Sequence, residues 1–176
     1  MQLFPGPHYR VIDRVGMPQV TRFIARALEP YDTSALEWLK LLPLARKTLL
    51  HGICEFPWEP GAADTGEAHG YRIRASVNVE MAPPFTYLHW GRTPSATNPR
   101  GWVSGEVEYH FSDLEECAVH TLAHECFHFL SDSGQVDEKN TEANANWWAD
   151  DWLATYQQEI SAVRVQATAS SDILAC

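Results

Sequence analysis

His124 and His128 lie four residues apart, with Glu125 beside the first, in the run His124-Glu125-Cys126-Phe127-His128 of the stretch TLAHECFHFL. On an α-helix, residues four apart stand one above the other on one face, so these two imidazoles converge on a single metal ion. Glu125 falls about 100° round the helix from His124. There it stands beside such an ion rather than on it, where a carboxylate can take a proton from a metal-bound water. The spacing therefore supplies two ligands and a base. The plain alternative is an amphipathic helix that buries two hydrogen-bonded histidines with no metal.

The element that must carry these residues is a helix, because no Pro or Gly occurs from 112 to 133. Ser112 can cap it while Glu115 reaches back, and Asp113, Glu115 and Glu116 suit the positive end of the helix dipole. The inward face carries Cys117, His120, His124 and His128. A rival pairing of His120 with His124 would put Thr121 in the place of Glu125, and a threonine hydroxyl is no base at neutral pH. His120 therefore reads as a core residue or a support for a ligand, and Cys117 and Cys126 as small buried hydrophobes.

A third ligand is available downstream. Ser131, Asp132, Ser133 and Gly134 stop the helix, and a second one is expected from near Asn140 to about Ile160. On it Glu142, Asn146, Ala149, Leu153, Tyr156 and Ile160 share one stripe, which sets Glu142 on a mostly apolar face where an unpaired carboxylate is costly. Metal ligation would remove that cost, and two histidines with a glutamate and an open fourth position form a catalytic zinc arrangement. Asp137 and Glu138 precede the helix and suit its cap, while Asp150 and Asp151 lie further along. Asp150 or Asn146 could orient a ligand imidazole from behind. The bland reading of Glu142 is a first-turn glutamate that favours the dipole.

At these residues the sequence resembles the compact zinc peptidases of the gluzincin group, above all the ImmA/IrrE-type proteins. The resemblance rests on His124-Glu125-x-x-His128 followed by Glu142-Ala143-Asn144-Ala145-Asn146-Trp147-Trp148-Ala149, and covers roughly residues 103–153. It implies a small antiparallel sheet, an active-site helix and a glutamate helix, with the strand before the active-site helix lining the cleft and pairing with substrate. It also implies His124, His128 and Glu142 as ligands of one zinc ion per chain and Glu125 as the base. The longer pattern with a third histidine is missing, since Ser131 and Gly134 stand at its Gly and His positions.

The rest of the chain is read around this site. Residues 18–28 place Val20, Phe23, Ile24, Ala27 and Leu28 at helical spacing, and Ser34 with Glu37 makes a capping box for a second helix carrying Leu36, Trp38, Leu39 and Leu42, restarted at Pro43 and ended by Gly52. Residues 55–70 read as a loop in which His69 is solvated. Residues 71–79 alternate cleanly, as do 103–111, so each predicts a strand with one buried face. Phe85 to Trp90 reads as a further short strand, and His89 and Trp90 could line a cleft. The expected fold is α+β in one domain, with a helical layer over 1–52, an antiparallel sheet over 71–111, metal-site helices over 112–160 and a tail over 161–176.

With 176 residues and 45% hydrophobic composition, the chain can bury a core without staples. A net charge of -10 argues against nucleic acid or an anionic membrane as partner. No stretch approaches the length of a membrane span, and the start has no secretory pattern. Cys54, Cys117, Cys126 and Cys176 form no paired motif, which fits reduced thiols in a cytoplasmic protein. The expectation is thus a zinc-dependent hydrolase of peptide bonds acting on a peptide or protein substrate, with Glu125 as base. The oxyanion donor is expected among His110, Tyr109 and Tyr156, with His110 preferred. The competing expectation is a non-catalytic zinc-binding module, closed by His120 or Cys117 as fourth ligand.

Overall fold

The computed structural model describes residues 8–45, 47–57, 70–98 and 101–173, apart from the side chains of 89–94, 102, 104 and 164–173. His69, Cys176, most of the loop expected over 55–70 and the side chains of His89 and Trp90 lie outside that description. In chain order come β1 (Arg10–Asp13), α1 (Pro18–Ala27), β2 (Leu36–Pro43), β3 (Leu50–Glu55), β4 (Tyr71–Val77), β5 (Phe85–Pro94), β6 (Trp102–Phe111), α2 (Leu114–Asp132) and α3 (Glu142–Ile173). The architecture is α+β.

The main sheet is mixed rather than antiparallel. Its order is β1-β2-β4-β3, with β1–β2 and β2–β4 parallel and β3–β4 antiparallel. β5 and β6 pair antiparallel in a separate two-stranded sheet, so residues 71–111 divide between two sheets. α1 forms where its apolar spacing predicts, burying Val20, Phe23 and Ile24.

The second expected helix, over 34–52, is instead β2 and β3, and the N-terminal region is no helical layer. Leu36 pairs with Tyr71 and Trp38 with Arg72, which leaves Glu37 as the extra residue of a bulge. Leu36 and Leu39 consequently face the core three residues apart, a spacing that imitates a helix. Glu37 does not reach back to a helix cap. Its carboxylate accepts from Gly70 N–H at 2.7 Å and Arg72 Nε at 2.8 Å, bracing β2 against β4.

β4 buries Tyr71, Ile73, Ala75 and Val77 as its alternation predicts, whereas Val79 lies past the strand and is exposed. α2 crosses the sheet over β4 and β3 and is almost wholly buried, with Phe127, Phe129 and Leu130 at 0% exposure. Its cap is one residue later than expected: Asp113 accepts from Glu116 N–H at 2.9 Å, and Glu116 rather than Glu115 reaches back, to Ser112 N–H at 2.6 Å. Gly134, at φ 71°, closes the other end in the left-handed conformation that glycine adopts without strain. α3 starts at Glu142 and continues through the stretch expected as a tail to Ile173, packing on α2 and β5. Among the described residues, no helix is long and apolar enough to cross a membrane.

Candidate metal centre

His124 and His128 project from the open side of α2, and Glu142 from the first turn of α3. His124 Nε2 and His128 Nε2 are 3.1 Å apart. The Glu142 carboxylate oxygens lie 3.2 Å from the first and 3.5 Å from the second. Ligand atoms about 2 Å from zinc at the tetrahedral angle stand about 3.3 Å from one another; the two ring nitrogens meet that spacing, and the carboxylate faces them with both oxygens, Oε2 toward His124 and Oε1 toward His128. These residues form a group that could hold a metal ion.

The imidazoles are oriented from behind. His124 Nδ1 bonds Asn146 Oδ1 at 2.6 Å, and His128 Nδ1 bonds Asn140 Oδ1. An amide oxygen only accepts, so both rings carry their proton on Nδ1 and turn the Nε2 lone pair toward Glu142. Of the two supports expected for a ligand, Asn146 fills the role. Asp150 instead meets His120 Nε2 at 3.3 Å and accepts from the Tyr109 hydroxyl at 2.6 Å. His120 is thus a buried residue of the cleft floor, 2% exposed and packed against Tyr109 and Phe111.

Glu142 corrects one expectation. Its stripe is buried from Asn146 to Tyr156, but the Glu142 side chain itself is 68% exposed at the rim. The carboxylate stands within 3.5 Å of both imidazoles, and the cost of burial does not account for its position.

Glu125 stands beside the group, its Oε1 4.0 Å from His124 Nε2. Burial pushes its carboxyl up to about 7, a rise that Glu142 adds to while His124 and the Cys54 backbone N–H oppose it. Burial lowers His128, with the Asn140 bond and Glu142 working the other way. For His124 burial is outweighed by Glu142, Glu125 and Asn146, and the ring is raised. A carboxyl poised near neutrality next to a metal-ligand group has the affinity for protons that a general base needs.

The cleft runs along β3, one of the two edge strands of the main sheet. On one side of the histidines is a hollow of about 280 Å³ lined by His51, Tyr87, His120, Thr121 and Asn146. On the other is a more open one of about 560 Å³ lined by Ile53, Cys54, Phe56, Asn140 and Thr141, and Gly52, His124, Glu125 and Glu142 border both. No described side chain of β6, the strand before α2, borders either hollow, whereas β3 borders both.

None of the three expected oxyanion donors faces the cleft. His110 is exposed on the outer face of β6, its Nδ1 3.3 Å from Thr86 Oγ1. The Tyr109 hydroxyl is bound to Asp150, and that of Tyr156 donates to Glu115 at 2.7 Å near the start of α2. A tyrosine that does border the cleft is Tyr87, the cross-strand partner of Tyr109. Burial raises its hydroxyl above the ordinary value, and Glu142 and Glu125 add to the rise, so it remains a proton donor. Only the β5–β6 register, which the sequence does not state, puts Tyr87 on the same face as Tyr109. Compared with family models, with curated proteins and with solved structures, the chain matches none.

Proposed function

We propose that this chain is a zinc-dependent metallopeptidase that cleaves peptide bonds, with His124, His128 and Glu142 holding the ion and Glu125 as general base. The observation that carries the reading is the convergence of two imidazole nitrogens 3.1 Å apart on a carboxylate whose oxygens lie 3.2 and 3.5 Å from them, with an ionisable carboxylate beside them and a cleft in front. Two imidazoles and one carboxylate suit zinc among the common ions.

Zinc bound there supplies Lewis acidity toward a carbonyl and acidifies a water. The chain's own groups do the rest. Glu125 takes the water's proton and returns it to the leaving amine. The Tyr87 hydroxyl donates to the oxygen that becomes negative. The outer edge of β3, apart from the Cys54 N–H that Glu125 takes, is where an extended peptide can pair. A closed, structural zinc site is less well supported: His120 turns to Asp150, and Cys117 is sealed in the core at 0% exposure, its thiol pushed up to about 12 by burial.

Elemental analysis of untagged protein, with hydrolysis of a library of unstructured peptides, tests the reading. Wild type is expected to carry about one zinc, lost in Glu142→Ala and His128→Ala. Glu125→Gln is expected to keep the zinc and lose about 100-fold to 10,000-fold in rate. A metal-free wild type, or undiminished hydrolysis by zinc-loaded Glu125→Gln, would overturn it.

A further inference from the structure

Helix α2 fixes where Glu125 starts but not where its carboxylate ends, since a glutamate has three rotatable bonds. The neighbour that decides is β3. A β-carbon on Gly52 would lie 2.2 Å from Glu125 Oε1, 2.8 Å from its Cδ and 2.9 Å from its Cγ, closer than real contacts come. Two residues on, the Cys54 backbone N–H donates to the same carboxylate. The strand is anchored on its other edge, where it pairs with β4 at Gly52–Ala75 and Cys54–Ile73. Nor does the backbone itself call for glycine at this position: the described glycines with positive φ are Gly16, Gly101 and Gly134, and Gly52 is not among them. A glycine inside a strand weakens it and marks a close approach. Here the approaching group is the Glu125 side chain, 9% exposed.

We propose that Gly52 is a positioning residue for Glu125: the missing side chain opens the slot that the carboxylate occupies, and the Cys54 N–H holds it there. The inference rests on the peptidase reading for its catalytic meaning and on the contact geometry for the rest. A side chain at position 52 pushes the carboxylate, the one flexible partner in the contact, out of line, while His124, His128 and Glu142 keep their places.

The test pairs a melting cycle on metal-free protein with kinetics on the zinc-loaded form. Gly52→Ala, Glu125→Ala and the double variant are compared with wild type, and Gly105→Ala, where a β-carbon meets nothing within 4 Å, serves as control. The expected result is coupling: Gly52→Ala is more favourable by about 2 °C or more in Tm when residue 125 is alanine than when it is glutamate. Zinc-loaded Gly52→Ala is expected to keep one zinc and lose about 100-fold or more, carried by kcat rather than KM, while Gly105→Ala keeps full activity. If Gly52→Ala alone does not fold but the double variant does, the conflict with Glu125 is equally established. Additive melting shifts, failure of both variants to fold, or full activity in zinc-loaded Gly52→Ala overturns the proposal. A wild type without hydrolysis sinks the peptidase reading instead, and the melting cycle still decides the contact.

Discussion

The two ends of α2 each gather ionisable side chains, and they are assembled in opposite ways. At the N-terminus every acid faces donors: Asp113 takes Glu116 N–H, Glu116 takes Ser112 N–H and the Gln157 amide at 2.9 Å, and Glu115 takes the Tyr156 hydroxyl and the Gln19 amide. Toward the C-terminus His124, His128 and Glu142 point lone pairs at one another, and the ring N–H groups are turned away to Asn146 and Asn140. Charges answered by donors hold a fold together. Acceptors that converge on acceptors are complementary only to a cation.

The largest effect that would break this contrast is the response to metal. At zinc about a thousandfold above its Kd, binding to the native state adds about 4 kcal/mol, roughly 8–16 °C in Tm for a chain of this size. Chelation should lower the melting point of wild type by that order and leave Glu142→Ala unmoved; equal shifts in both would break the comparison.

A second, smaller effect concerns Glu125 in the metal-free protein. Its carboxyl titrates near 7 when folded against an ordinary 4.5, so the folded chain holds the proton more tightly. Stability from this group is therefore full below the ordinary value and is lost as pH rises through about 7. Glu125→Gln carries no charge to bury. At about pH 8 it should be the more stable protein by on the order of 3 kcal/mol, and the gap should close as the pH falls toward 4.5; a gap that is flat with pH would refute the assignment.

The smallest effect belongs to the saturated end. Glu116→Ala removes the partner of Ser112 N–H and of Gln157 and should cost about 1–2 kcal/mol, read as a modest drop in Tm, with zinc content unchanged. Loss of zinc in that variant would mean the two ends are not independent.

The helices of the site were legible because their signals are local: His124 and His128 share a face by spacing alone, and Asp113 to Glu116 announce a start. β4 and β6 were legible for the same reason, in the alternation of Tyr71, Ile73 and Ala75 and of Val107, Tyr109 and Phe111. What could not be read depends on partners distant in sequence. The bulge at Glu37 disguises β2 as a helix, because it sets Leu36 and Leu39 on the core side three residues apart and breaks the alternation that marks a strand. Gly52 looked like a helix stop because the carboxylate it makes room for is 73 positions later in the chain. The oxyanion candidates His110, Tyr109 and Tyr156 left out Tyr87, because the β5–β6 register that sets it opposite Tyr109 is not stated by the sequence, and one residue along a strand turns a side chain to the other face.

One feature of Glu142 reaches into kinetics. Two arms of the group are set in a buried helix, but the third is a solvent-facing side chain at the mouth of a different helix, 68% exposed. Swinging that single side chain out undoes one of the three attachments without disturbing the core. An ion held by this group therefore comes and goes through a hinged door rather than through unfolding, and its exchange is set by a side-chain rotation and the two remaining bonds, not by the opening of the protein.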